Sequence, residues 1–257
     1  SAVHNYLASG GKALLMLDAV TIDQQRLQAD LNGASMADFV EDYGIGVQGN
    51  LVFDPRSSES LSFSSSFGAI SVRYPYWPRV ETSDRGLSGG IGTVVMPWAS
   101  SLEILDSGDP SLDAELNVLL RTSRFAVLDN AFVDLDPLSP TLDMLAGGEQ
   151  SSRVMAVSIT GTRCLTYEPD CTKDPSNPFR MIVVGDSDWI TDPMTSRYPD
   201  QLALAINYLD WLAQDDALAA IRSKDISFRP LLFDSDTHRN LAQYGNLIGV
   251  PVLLVFL

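Results

Sequence analysis

The chain has 257 residues, 45% of them hydrophobic and 19% charged, enough to bury a sizeable core and too apolar for a disordered chain. Its 33 acidic and 17 basic side chains give a net charge of -16, a field that repels nucleic-acid backbones and anionic headgroups. With two histidines, His4 and His238, and two cysteines, Cys164 and Cys171, it lacks the ligand cluster of a zinc or other transition-metal centre.

Residues 1–9 read as a helix, because Val3 and Leu7 lie four apart and Gly10-Gly11 supplies a stop before the apolar run Ala13 to Leu17. His4 on this helix has no ligand-type neighbours in sequence and is expected to be solvated or to cap. A helix feeding directly into a buried strand implies a further strand upstream. Further strands are predicted at Gly46 to Phe53, Ala69 to Arg73, Thr93 to Met96, Phe125 to Leu128, Val154 to Thr160 and Met181 to Val184. Met36, Phe39, Val40 and Tyr43 carry the spacing of one helix face, so the first two strands and this helix make a βαβ unit. Leu202, Ala205, Ile206, Leu209 and Leu212 repeat that pattern after Pro199-Asp200, predicting a helix of about four turns. Short apolar runs alternating with helical patterns predict an α/β fold with a mostly parallel sheet flanked by helices.

The serine-rich tract from Pro55 to Ser66 and the stretch from Tyr74 to Gly90 read as loops. Tyr74, Tyr76 and Trp77, held by Pro75 and Pro78, offer a docking patch for a partner protein or, equally, cover a sheet edge. The turn-rich segment between Cys164 and Cys171 allows a short-loop disulfide, contributing roughly 2–3 kcal/mol in an oxidising compartment, or two free surface thiols.

Met181-Ile182-Val183-Val184 runs into Gly185-Asp186-Ser187-Asp188-Trp189, placing polar side chains where open parallel sheets bind ligands. Three readings compete. Gly-Asp-Ser is similar to the nucleophile block of the SGNH hydrolases, with Ser187 as nucleophile and His238 as base, but Ser235 stands where that family has an Asp three residues before its His. Asp186 and Asp188 can ligate a hard cation such as Mg²⁺ or Ca²⁺, or a small polar ligand. Or the turn caps itself, its oxygens accepting backbone N–H groups. Gly86 to Gly92 has neither the Lys nor the strand-helix setting of a phosphate loop, and no cofactor is implied.

The last charged residue is Arg239, and the run from Gly245 to Leu257 is wholly uncharged. It is too short to span a bilayer, which takes about 20 apolar residues. It reads as a core strand or as the first part of a membrane helix cut by the end of the sequence; Gly249 and Pro251 favour the helix. The expected organisation is an α/β domain over residues 1–244 and the start of an anchor over 245–257.

The segments Tyr6 to Asp18, Tyr43-Gly44-Ile45 to Asp54-Pro55, Val95-Met96-Pro97, Gly185 to Trp189 and Asn207 to Leu212 together resemble the GldG-like auxiliary subunits of ABC transporters, a gliding-motility-related family. The resemblance spans nearly the whole chain. It implies an extracytoplasmic domain of flavodoxin-like or class I glutamine-amidotransferase-like fold without catalytic residues. It also implies a helical anchor in the inner membrane, the domain facing the periplasm. The partners it implies are a permease and an ATPase on separate chains.

Overall fold

The computed structural model describes residues 2–33, 36–65, 68–106, 109–132, 134–164 and 176–213. These lie in a unit spanning Ser1–Asp216; a second unit, Ala217–Leu257, falls outside the described residues, and with it the apolar run 245–257. In chain order the strands are β1 (Lys12–Met16), β2 (Val20–Asp23), β3 (Gln28–Leu31), β4 (Ile45–Val47), β5 (Leu51–Phe53), β6 (Ser58–Ser65), β7 (Gly68–Thr82), β8 (Thr93–Val95), β9 (Leu102–Ile104), β10 (Leu112–Arg121), β11 (Val127–Asp129), β12 (Val154–Arg163) and β13 (Phe179–Val184). The helices are α1 (Ala2–Ala8), α2 (Ala37–Glu41), α3 (Arg85–Ser88), α4 (Thr141–Leu145), α5 (Asp192–Arg197) and α6 (Pro199–Ala213). None of them is long and apolar enough to cross a membrane.

The main sheet follows the path β1-β13-β12-β10-β7-β6, with β8 on β7, β9 on β12 and β4 on β9. Among the described residues only β1 and β13 pair in parallel; every other ladder of this sheet is antiparallel. This corrects the expected mostly parallel, flavodoxin-like sheet. A strand buried on both faces reads as a continuous apolar run whichever way its neighbours point. In β13, Ile182 and Val184 enter one core cluster while Met181 and Val183 enter another, so its burial carries no record of strand direction.

The expected βαβ unit is absent as well. Gly46 to Phe53 divides at Gln48–Asn50 into β4, which pairs with β9, and β5, which pairs with β11 in a separate two-stranded sheet. The β2–β3 hairpin intervenes between β1 and α2. Both stretches expected as loops contribute strands: β6 lies within the serine-rich tract, and β7 runs through Tyr74 to Thr82. Pro75 and Pro78 have no N–H to give a ladder, yet their carbonyls accept from Asp54 and Met96 at 2.9 and 3.0 Å. A register shift in the β6–β7 pairing, from Ser58 opposite Pro78 to Glu59 opposite Tyr74, places both prolines at an irregularity.

Helix α6 occupies the span predicted for it, but its buried face is Leu204, Ala205, Tyr208 and Leu212, with Leu202, Ile206 and Leu209 about half exposed. Tyr208 and the fully buried Trp189 pack together in the larger core cluster, on the face of the sheet that also takes Val184. On α1, His4 is neither solvated nor a cap. Its ring bonds the Tyr43 hydroxyl at 3.0 Å and lies 3.3 Å from the Asp42 carboxylate, joining α1 to the end of α2.

Candidate functional site

The parallel pair β1 and β13 brings two strand ends together, Met16 opposite Val184, and Leu17 continues the ladder to the Val184 carbonyl at 2.9 Å. Asp18 and the Gly185-Asp186-Ser187-Asp188 turn therefore emerge side by side. The Ser187 amide donates to Asp18 Oδ1 at 2.7 Å, and the Ser187 hydroxyl donates to Asp18 Oδ2. Asp186 is 1% exposed, and its Oδ1 accepts from the Asp188 amide at 2.6 Å. Burial, reinforced by Asp18 and Asp188, pushes the Asp186 carboxyl well above its ordinary range; burial and Asp18 raise Asp188 also. The turn starts at Gly185 because nothing larger fits: a Cβ there would sit 2.2 Å from the Ser100 carbonyl oxygen. The Gly185 carbonyl accepts from the Ser100 amide at 2.8 Å, and its amide donates to Met155 at 3.0 Å.

Ser187 thus donates its proton to a carboxylate, whereas a triad nucleophile donates to an imidazole. His4 bonds Tyr43 and stands on another element, and His238 and Ser235 lie outside the described residues. The Asp186 and Asp188 pair is brought together as the sequence suggested. Among the described residues, no group of three or more His, Cys, Asp or Glu is arranged to hold a metal ion. Asp18, the partner that organises the turn, went unremarked in the sequence as a site residue. The available signal was that both apolar runs, Ala13 to Leu17 and Met181 to Val184, are followed at once by Asp or Gly-Asp.

The aromatic stretch is placed differently from the exposed docking patch. Tyr74 and Tyr76 are each 1% exposed, in a third core cluster with Phe53, Val127 and Leu135. Tyr74 donates its hydroxyl to the Leu135 carbonyl at 2.8 Å, and Tyr76 donates to Asp129 at 2.6 Å. Burial carries the Tyr74 hydroxyl up to about 12. Trp77 is only partly buried, and its ring meets Trp98 edge to face at 5.3 Å between centroids. These two indoles flank an open groove of about 320 Å³ whose other walls come from Gln24, Leu27, Leu61 and the segment Asp136-Pro137-Leu138. Leu27 and Trp98 both hold positive φ, 52° and 53°, a region that bulky L-residues rarely adopt. Cys164 directly follows β12, while Cys171 lies outside the described residues.

A family model described as an ABC-type uncharacterized transport system matches residues 1–216. No curated protein matches the sequence. Among solved structures, the chain is similar to the "mmIFT52 N-terminal domain", with 17% identity, a TM-score of 0.46, and coverage of 83% of this chain and 70% of that one.

Proposed function

Because the chain belongs to the auxiliary family of ABC-type uncharacterized transport systems, we propose that it is a non-catalytic accessory domain acting through contacts with a permease and its ATPase. The observation that carries this reading is the Ser187–Asp18 pair. The one serine in a nucleophile-like motif has its hydroxyl and amide committed to a single carboxylate, which serves to join two strand ends. The proposal extends to the GldG-like, gliding-motility-related branch, on the motif residues from Tyr6 to Leu212. It also places the domain on the periplasmic side of the inner membrane, tethered by a helix to which the uncharged run 245–257 contributes.

Affinity purification of the full-length protein from detergent-solubilised membranes is expected to recover a permease and an ATPase. Recovery of the protein alone from the soluble fraction overturns the complex and the anchor together. The non-catalytic part has its own test: a fluorophosphonate probe is expected to leave the protein unlabelled, and labelling that disappears in Ser187→Ala restores the esterase alternative. Thermal shifts with Mg²⁺ or Ca²⁺ test the remaining alternative at Asp186 and Asp188, since a ligand at 100 times its Kd adds about 2.7 kcal/mol.

A further inference from the structure

The groove beside Trp77 and Trp98 has no part in the accessory role described above. Its volume of about 320 Å³ lies at the size of small-molecule sites. Leu27, Leu61, Trp77, Trp98 and Leu138 make its walls apolar, and Leu138 forms a lip that is 64% exposed. An apolar body filling this space removes that surface, and its own, from water. The Tyr74 hydroxyl at the wall has no proton to offer a polar ligand. It donates to Leu135 and accepts the Trp98 indole N–H at 3.0 Å. Discrimination is left to shape, ring faces and electrostatic field.

That field is negative. Asp136 lines the groove and Asp129 accepts the Tyr76 hydroxyl behind its wall, while Arg26, next to Leu27, lies 3.7 Å from the Asp23 carboxylate. Asp136 stands exposed at the groove, one oxygen accepting the Leu138 amide at 2.9 Å. Indole is the side chain whose face attracts cations most strongly, and two are present here. Leu27 and Trp98 keep strained backbone in the same wall. Such conformations persist only where the surroundings hold them, and they gather at ligand sites.

We propose that this groove binds an organic cation with an apolar body, the body lying against Trp77, Trp98 and Leu138 and the ammonium or guanidinium group beside Asp136. A free hydrophobic amine and a Lys or Arg side chain next to an apolar residue in a peptide present the same chemistry. The inference does not depend on the transport complex.

Isothermal titration of the 257-residue chain with 4-phenylbutylamine, 4-phenylbutanol and 4-phenylbutyrate keeps the apolar body constant while the charge changes sign. Saturable binding of the amine is expected, with the alcohol roughly tenfold weaker and the carboxylate undetectable. Asp136→Asn, which can still accept the Leu138 amide, is expected to lower the amine to the alcohol's affinity and leave the alcohol unchanged. Leu138→Ala is expected to weaken both. Acetyl-Phe-Lys-amide binding tighter than the amine assigns the site to a peptide side chain, and weaker binding assigns it to a free amine. Equal affinities of amine and alcohol, an Asp136→Asn variant that binds the amine undiminished, or no saturable binding overturns the proposal.

Discussion

At the end of β13, three carboxylates and a serine crowd into a largely buried corner; beside Trp98 there is room for a ligand between mostly apolar walls, with Asp136 the charged residue among them. The first region looks like chemistry in one dimension, because Gly185-Asp186-Ser187-Asp188 is a compact, motif-like string. In three dimensions Ser187 and Asp186 Oδ1 are bonded internally, to Asp18 and to the turn's own backbone, while Asp186 Oδ2 is buried with no hydrogen-bond partner among the described residues. The second region is assembled from five separate segments and leaves space between them. The contrast teaches that a cluster of reactive residue types says less about a site than whether their bonding capacity is already consumed.

The sharpest way to break the contrast is Gly185→Ala. Its methyl must displace the Ser100 backbone, which a packed strand end resists, so a loss of about 3 kcal/mol or more is expected in chemical denaturation. A variant as stable as the parent shows that the corner has slack and that its polar groups are freer than described. Asp18→Ala comes next. It removes two charge-assisted bonds and is expected to cost about 2 kcal/mol, partly offset by relief of the repulsion on Asp186 and Asp188. Asp18→Asn, keeping the shape, should cost less by the same measurement.

Asp186→Asn tests the electrostatics alone. Its carboxyl binds a proton more tightly folded than unfolded, so wild-type stability falls as pH rises from the ordinary carboxylate value, near 3.9, toward the raised folded value. Asn at this position does not titrate. Urea midpoints measured from pH 4 to pH 7 are therefore expected to shift in favour of the variant as pH rises, and a constant gap between the two proteins overturns the assignment. At the other region the smallest effect is expected. Leu138→Ala, at a largely exposed lip, should change stability by no more than about 0.5 kcal/mol while weakening ligands in the groove.

The sequence revealed strands where burial was continuous and helices where period was clear: β1, β13 and α6 lie close to their predicted spans. Strand direction was not legible, for the reason seen in β13. The antiparallel β10 did carry a signal, since Leu112, Ala114, Leu116 and Val118 alternate with polar residues, and the charges among them concealed a strand that was overlooked. Strand β6 was hidden by its run of serines, and β7 was legible only over Ala69 to Arg73, its continuation concealed by two prolines. Of the turn, Asp186, Ser187 and Asp188 could be read because they are consecutive; Asp18 could not, because it joins them only through the β1–β13 pairing. Of the groove, the sequence marked only Tyr74 and Trp77, within the aromatic stretch; the residues that close it around them left no local trace. Leu27, Leu61, Trp98 and Leu138 are ordinary apolar residues until the fold sets them around one space.

The bond between Ser187 and Asp18 spans 169 positions of the chain. Contacts of such separation carry a large loop-closure cost and form late relative to hairpins such as β6–β7. During synthesis, β1 emerges long before β13, the strand it pairs with among the described residues, so Ala13, Leu14, Leu15 and Met16 must wait for that ladder. Closure of the Asp18–Ser187 corner is therefore expected to follow the local hairpins, and a probe placed there would test that order.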